Sequence, residues 1–336
     1  MSATHPPAPS PRVLTATSAD GSRLHVEVYG PEGAPAVVLA HGWTCSTRFW
    51  DAQIRDLAAD HRVVVYDQRG HGGSPAPEPG AGGNGYSAKG HSTNGSSAKG
   101  HSTTGYSTEA LADDLEAVLA ATLGPGERAV LAGHSMGGMT LMAAAGRPLF
   151  RQHAAAALLC STGPSRLTAE ALVVPLRPGG LRTRLTAAVL GAKAPLGPVT
   201  PVSKKILKYA TMGPGTAPER VDACARIVHA CPRGARHGWS QVLAGLDLEA
   251  GVRELRLPVA VLVGTADRLT PPGHSRAMAA ALPHCTGLVE LAGTGHMTPV
   301  EAPEAVTAQI RELTLTYLGV TERQAATTQQ KEEAGA

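Results

Sequence analysis

Ser135 is the residue around which chemistry is easiest to place. It stands in Gly133-His134-Ser135-Met136-Gly137, a Gly-x-Ser-x-Gly frame between the apolar run Arg128–Ala132 and the Ala/Met-rich run Met139–Ala145. A chain that turns this sharply from strand to helix needs glycine two residues either side of the serine, because side chains there would collide. The turn exposes the hydroxyl at the sheet end and leaves the Met136 N–H at a helix N-terminus, aimed where an oxyanion would form. Gly-His-Ser recurs at Gly90–Ser92 and Gly100–Ser102, but there the fifth position of the frame is Asn94 or Thr104 and no apolar strand precedes. Those serines read as loop residues, and Ser135 is the candidate nucleophile.

A serine hydroxyl needs a base to take its proton and a third group to orient that base. Downstream, the run Val259–Gly264 ends a strand and leads into Thr265-Ala266-Asp267, which puts Asp267 just past the strand's carboxyl end. The run Leu288–Leu291 ends the next strand and leads into Ala292-Gly293-Thr294-Gly295-His296, a glycine-flanked loop at the same sheet edge. In open α/β sheets that edge is where sites form. Asp267 and His296 are therefore the candidate acid and base.

Strand-length apolar runs alternate with helix-period segments along most of the chain. Strands are expected at Arg23–Tyr29, Ala36–Ala40, Arg62–Tyr66, Ala129–Ala132, Ala154–Cys160, Pro258–Val263 and Leu288–Leu291. Helices are expected at Arg48–Ala59, Ser107–Leu119, Met139–Ala145, Gly273–Ala281 and Pro303–Tyr317. This pattern predicts an α/β fold, a mostly parallel central sheet with helices on both faces. Residues 22–162 and 240–318 form the expected core, residues 1–21 a flexible N-terminal segment, and 319–336 a disordered tail.

Two segments break the alternation. Residues 75–104 are Gly/Ser-rich and hold an imperfect decapeptide duplication, Asn84–Thr93 followed by Asn94–Thr103. Short polar copies cannot stack into a core, so they read as an expanded loop. The formal Gly-x-Gly-x-x-Gly at Gly80, Gly82 and Gly85 has prolines before it and no helix after it, which argues against dinucleotide binding and leaves no cofactor expected. Residues 163–239 read as a mainly helical insertion between strands. Twelve basic side chains face only Glu170, Glu219 and Asp222 across residues 162–240, a local charge of +9 in a chain of net +3. A solvated helix surface, an anionic substrate or an anionic membrane surface would each account for it.

Gly133–Gly137, Asp267 and His296, in the order Ser…Asp…His, resemble the α/β-hydrolase family. So do His41-Gly42-Trp43 after Ala36–Ala40 and Asp67-Gln68-Arg69-Gly70-His71-Gly72 after Arg62–Tyr66. The resemblance implies Ser135 as nucleophile, His296 as general base then acid, and Asp267 as its orienter. It also implies an oxyanion hole of the Trp43 and Met136 backbone N–H groups, and a cap formed by the insertion. Relatives that carry the acid after an earlier strand would place it near Cys160-Ser161-Thr162, where no carboxylate lies. Serine at the elbow, where related dehalogenases and epoxide hydrolases use Asp, points to acyl chemistry. A carboxylic ester is the expected substrate; a thioester, a lactone, a C–C bond next to a ketone, and a ligand-sensing binding protein remain as alternatives.

The neighbouring side chains have blander roles. His134 and His41 are expected to be structural, the latter bracing the oxyanion loop, and Asp67 and Arg69 to tie down their own turn. Cys45 reads as a small buried hydrophobe. Trp239 and Trp50 could line a pocket, Trp239 from the cap; ordinary packing suits them equally. His71, His91 and His101 lack the carboxylate or cysteine spacing of a metal site, and no metal is expected. The five cysteines are odd in number and scattered, which reads as free thiols in a reducing compartment. The charge balance is too small to argue for nucleic acid, and no run approaches a signal peptide or membrane span. The expectation is a soluble cytoplasmic enzyme of small-molecule acyl substrates, with its oligomeric state left open.

Overall fold

Continuous runs of Val, Ala and Leu become strands here because a sheet covered on both faces leaves no strand position in water. A computed structural model describes residues 10–78 and 105–319. Residues 1–9, the repeat segment 79–104 and the tail from residue 320 lie outside the described residues. The strands are β1 (Arg12–Thr17), β2 (Arg23–Tyr29), β3 (Ala36–Ala40), β4 (Arg62–Tyr66), β5 (Ala129–His134), β6 (Ala154–Cys160), β7 (Val259–Gly264) and β8 (Cys285–Leu291). They form one sheet in the order β1-β2-β4-β3-β5-β6-β7-β8. The β1–β2 and β2–β4 pairs are antiparallel and all others parallel. Strands β3 to β7 are buried along their whole length.

Side chains along the central strands β3 to β7 alternate between two cores. Val37 and Leu39 face α1 (Asp51–Leu57) and α13 (Pro303–Tyr317), where Ile54, Leu57, Val306 and Ile310 pack. Val38 and Leu131 face α2 (Thr108–Thr122), α3 (Met136–Ala144) and α11 (Pro272–Ala281), which supply Leu111, Leu115, Met139 and Met278. Short helices α4 (Pro148–His153), α10 (Glu249–Glu254) and α12 (Thr298–Glu301) complete the core. Between β6 and β7 lie α5 (Leu167–Glu170), α6 (Gly180–Leu190), α7 (Pro201–Thr211), α8 (Pro218–Ala230) and α9 (Arg233–Ala244).

The register aligns the strand ends that matter. Ala40 pairs with Gly133, His134 with Cys160, and Gly264 with Leu291. After β3 the chain pairs β4 on one side and returns with β5 on the other, so a crevice opens between the loops following β3 and β5. Those loops begin at His41 and Ser135.

Two boundaries differ from the sequence expectation. Residues 12–17, expected within a flexible segment, form the antiparallel edge strand β1, with Ala16 buried against the core. Its alternation is masked by threonines and an exposed Val13, which is what an edge strand over a single core looks like. The expected insertion boundary at 239/240 falls inside α9. The insertion instead leaves and rejoins the core at the antiparallel bridge Ser165↔Asp247, beside the Leu248 N–H bond to the Pro164 carbonyl of 2.8 Å.

Arg69 fastens this corner. Its fully buried guanidinium donates to Asp114 Oδ2 (2.7 Å), Asp20 Oδ2 (2.8 Å) and the Gly105 carbonyl (2.6 Å). Removing it strands the Asp114 carboxylate, which is 3% exposed. Arg69→Ala is expected to lower unfolding stability by about 3–5 kcal/mol, read from the urea midpoint. A loss below about 1 kcal/mol would show that the pair contributes no more than a surface one.

Candidate active site

The elbow is held by absent side chains. A Cβ on Gly137 would lie 2.0 Å from the Ala40 carbonyl oxygen, and one on Gly133 would lie 2.4 Å from the Gly137 carbonyl oxygen. Between them Ser135 takes φ 51° and ψ −116°, a conformation side chains rarely adopt, and caps the start of α3. A Cβ on Gly42 would lie 3.1 Å from Ser135 Cβ, so the loop after β3 runs directly past the serine. The Met136 N–H opens α3 and has no intrahelical acceptor. Among the described residues neither it nor the Trp43 N–H is engaged by another backbone group.

On the far side of the crevice, His296 Nδ1 lies 2.8 Å from Asp267 Oδ2. Asp267 is itself fixed: its Oδ1 accepts from the Leu269 and Thr270 N–H groups (2.8 and 2.9 Å), and its Oδ2 from Thr270 Oγ1 (2.9 Å). Both residues are buried, Asp267 2% and His296 3% exposed. The carboxylate dictates that His296 Nδ1 carries a proton and Nε2 the free lone pair. The structure thus joins two of the three expected residues directly. Among the described residues no hydrogen bond links Ser135 Oγ to His296 Nε2. The link between their loops runs through His134, whose Nε2–H donates to the His296 carbonyl at 2.9 Å.

His134 is one positioning residue that sequence reasoning left as merely structural. Its ring lies 4.9 Å from that of His296, and its Nδ1 is buried without a partner. Burial, reinforced by the neighbouring imidazole, pushes its pKa well below the usual range. Glu301 is a second. Its Oε1 accepts from the Met297 N–H (3.1 Å), and its Oε2 from the N–H groups of Gly295 (3.2 Å) and Gly213 (2.7 Å) and from the Thr216 hydroxyl. One carboxylate therefore grips the loop on both sides of His296 and the α7–α8 connection together. No local motif marks Glu301; its partners are 85 and 88 residues away as well as near.

Other expected roles resolve cleanly. His41 braces the loop after β3: its Nδ1–H donates to the Gly42 carbonyl (2.8 Å) and its Nε2 accepts from the Gln68 N–H (3.0 Å). His71 does the same one turn away, accepting from the Thr44 N–H (3.1 Å) and donating to the Arg69 carbonyl (3.2 Å). Asp67 accepts from the N–H groups of Thr47 and Gly73, both at 2.8 Å, within its own corner. Cys45 is buried, and burial pushes its thiol well above the usual range. The Trp239 indole is fully buried and donates to the Arg69 carbonyl (3.1 Å), pinning α9 to the core, the packing role expected as readily as a pocket one. Trp50 is likewise fully buried. Trp43 is the tryptophan that meets the insertion, donating to the Arg236 carbonyl (3.0 Å).

The geometry sets a half-buried serine on a strained turn across the crevice from an imidazole oriented by a carboxylate. Residues 37–309 match the Alpha/beta hydrolase family. The chain belongs to that family. An esterase from Thermogutta terrifontis, solved with malate bound, superposes with a TM-score of 0.67 at 25% identity, covering 91% of this chain and 99% of that one. A 3-oxoadipate enol-lactonase from Acinetobacter baylyi is 41% identical over 58 residues, 17% of this chain and 22% of that protein. Epoxide hydrolase A from Mycobacterium tuberculosis is 44% identical over 72 residues, 21% of each. The first curated relatives are matched over 34% of their length or less. No helix among the described residues is long and apolar enough to cross a membrane.

His41 and His71 predict acid sensitivity. Burial lowers their pKa to about 4 and about 3, and each Nε2 already faces an N–H donor. The unfolded chain takes up protons near pH 6.5 while the folded chain does not, so stability is present above that pH and falls as pH drops toward 4. Between pH 6 and 5 the slope should approach about 1.4 kcal/mol per pH unit for each histidine. Guanidinium midpoints across that range test it; a flat profile would mean that these rings protonate in the folded state.

Proposed function

We propose that the protein is a serine hydrolase that cleaves a carboxylic ester through an acyl intermediate on Ser135. The observation that carries this reading is the buried Asp267–His296 hydrogen bond, set across the crevice from the strained Ser135 elbow. Ser135 Oγ attacks the ester carbonyl while His296 Nε2 takes its proton. The resulting imidazolium is stabilised by Asp267 through Nδ1–H. Negative charge on the carbonyl oxygen is met by the Met136 and Trp43 N–H groups, each such donor typically worth roughly 3–4 kcal/mol in the transition state. His296 then returns the proton to the departing alcohol. Water enters, loses a proton to His296 and attacks the acyl carbon. The acid leaves, and the proton passes back to Ser135.

Ser135 bears on the choice among relatives. A hydroxyl nucleophile with an oxyanion site suits esters, and the enol-lactonase name among the relatives keeps a cyclic ester within the same chemistry. A graded series of p-nitrophenyl esters beside a lactone and a thioester panel separates these substrates. Ser135→Ala is expected to abolish turnover and fluorophosphonate labelling while keeping the melting temperature within a few degrees of the parent. Labelling that persists in Ser135→Ala would move the nucleophile elsewhere. Asp267→Asn should lower kcat by roughly 10⁴-fold, because the amide presents the wrong histidine tautomer to Ser135. An Asp267→Asn enzyme close to parental activity would remove Asp267 from the reading.

A further inference from the structure

Helix α6 is inside out. Its polar Arg182 and Thr186 are buried, while Leu181, Leu185 and Val189 are 67%, 41% and 62% exposed. Those three are spaced four residues apart and so share one face. The arrangement is fixed from beneath, where Arg182 donates to the Ala169 carbonyl at 2.9 Å. Helix α7 repeats the theme. Val202, Ile206 and Tyr209 stand outward at 68%, 63% and 43% exposure, while Lys204 is turned back to Asp222 (3.0 Å) and Lys208 to the Thr216 carbonyl (2.9 Å). Helix α7 also carries a Thr200–Ser203 capping box that fixes its first turn, and only Tyr209 on that face is partly covered, by the Arg268 guanidinium 4.7 Å from its ring. The loop between α6 and α7 adds exposed Leu196 and Val199, and Arg236 and His229 hold it down through the Ala194 and Gly197 carbonyls.

Leu172 and Leu176, just before α6, are also exposed, and outside residues 172–209 only Val13 and Leu315 are large apolar residues of comparable exposure among the described residues. Ten such residues within one span of a single chain are therefore not ordinary surface scatter; concentrations of this kind mark interaction sites. Charge decides what kind. From Leu172 to Tyr209 there is no Asp or Glu, against seven Lys and Arg. Arg177, Arg184, Lys193 and Lys205 are exposed among the apolar side chains. A second copy of this face would set like charge against like. Aliphatic side chains ringed by unpaired cations match a layer whose interior is apolar and whose surface is anionic.

We propose that the outer face of α6, the 191–200 loop and α7 docks on anionic lipid bilayers, with the aliphatic side chains entering the acyl boundary and the Lys and Arg side chains meeting the headgroups. This goes beyond the hydrolase reading and does not depend on it. The test is co-sedimentation of the full chain with vesicles of phosphatidylcholine alone and with one third phosphatidylglycerol. Binding is expected at least tenfold tighter to the phosphatidylglycerol vesicles, weakening with added salt. The pair Leu185→Glu and Ile206→Glu should remove it, and Lys193→Gln with Lys205→Gln should weaken it about fivefold per charge. All four positions are exposed, so the circular dichroism spectrum and melting temperature of these variants should match the parent. Equal affinity for both vesicles, or none for either, would overturn the proposal. So would sedimentation equilibrium showing a dimer that the Leu185→Glu and Ile206→Glu pair dissolves while vesicle binding is absent.

Discussion

The whole site depends on one close approach, the backbone of Gly137 lying against the carbonyl of Ala40 where a methyl group would sit 2.0 Å from the oxygen. That contact lets α3 start directly beside the end of β3. It brings the loop after β3 past Ser135 and forces the serine into its positive-φ conformation. Had either strand end been one side chain wider, the elbow and the Trp43 loop would part. The crevice at the strand-order reversal would then hold a hydroxyl without its N–H donors. Close-packed interiors transmit such displacements because nothing nearby is free to yield.

Behind the crevice lies a layer of buried imidazoles. His41, His71 and His134 are each close to fully buried, and the first two are hydrogen-bonded at both ring nitrogens to backbone groups. A neutral imidazole can satisfy one N–H and one C=O at fixed spacing without carrying charge into the core. The loops at the carboxyl ends of β3 and β4 present such mismatched pairs of backbone groups, and the rings answer them. His296 differs in facing a carboxylate, Asp267, where the bracing rings face backbone groups.

Much of this fold is legible in the sequence. The strands Ala36–Ala40, Arg62–Tyr66 and Ala154–Cys160 coincide with their apolar runs because a doubly covered parallel strand has no polar face to blur its ends. The expected helix from Ser107 begins at Thr108 with Ser107 as its cap, accepting from the Ala110 N–H at 3.1 Å. Asp267 follows the buried strand β7, whereas His296 follows β8, which is buried at none of its positions, and is marked by its flanking glycines instead. Less legible were features decided by tertiary contact. The edge strand β1 lacks a second covered face. Trp239 could only be told from a pocket residue by its partner, Arg69, 170 residues away. Glu301 and His134 act through backbone groups, which every residue possesses, so their spacing carries no signal.

The Glu301 grip divides the insertion into two kinds of territory. The turn after α7 shares a carboxylate with the His296 loop, and His296 also donates its own N–H to the Thr211 carbonyl at 2.8 Å. Any insertion, deletion or rotamer change near Thr211–Thr216 is thus felt at the imidazole. Among the described residues, the stretch through α6 and the following loop has no such tether to the Ser135 and His296 loops. That stretch can be recut without disturbing the Asp267–His296 hydrogen bond, so the surface the molecule presents and the loop that orients His296 are mechanically separate.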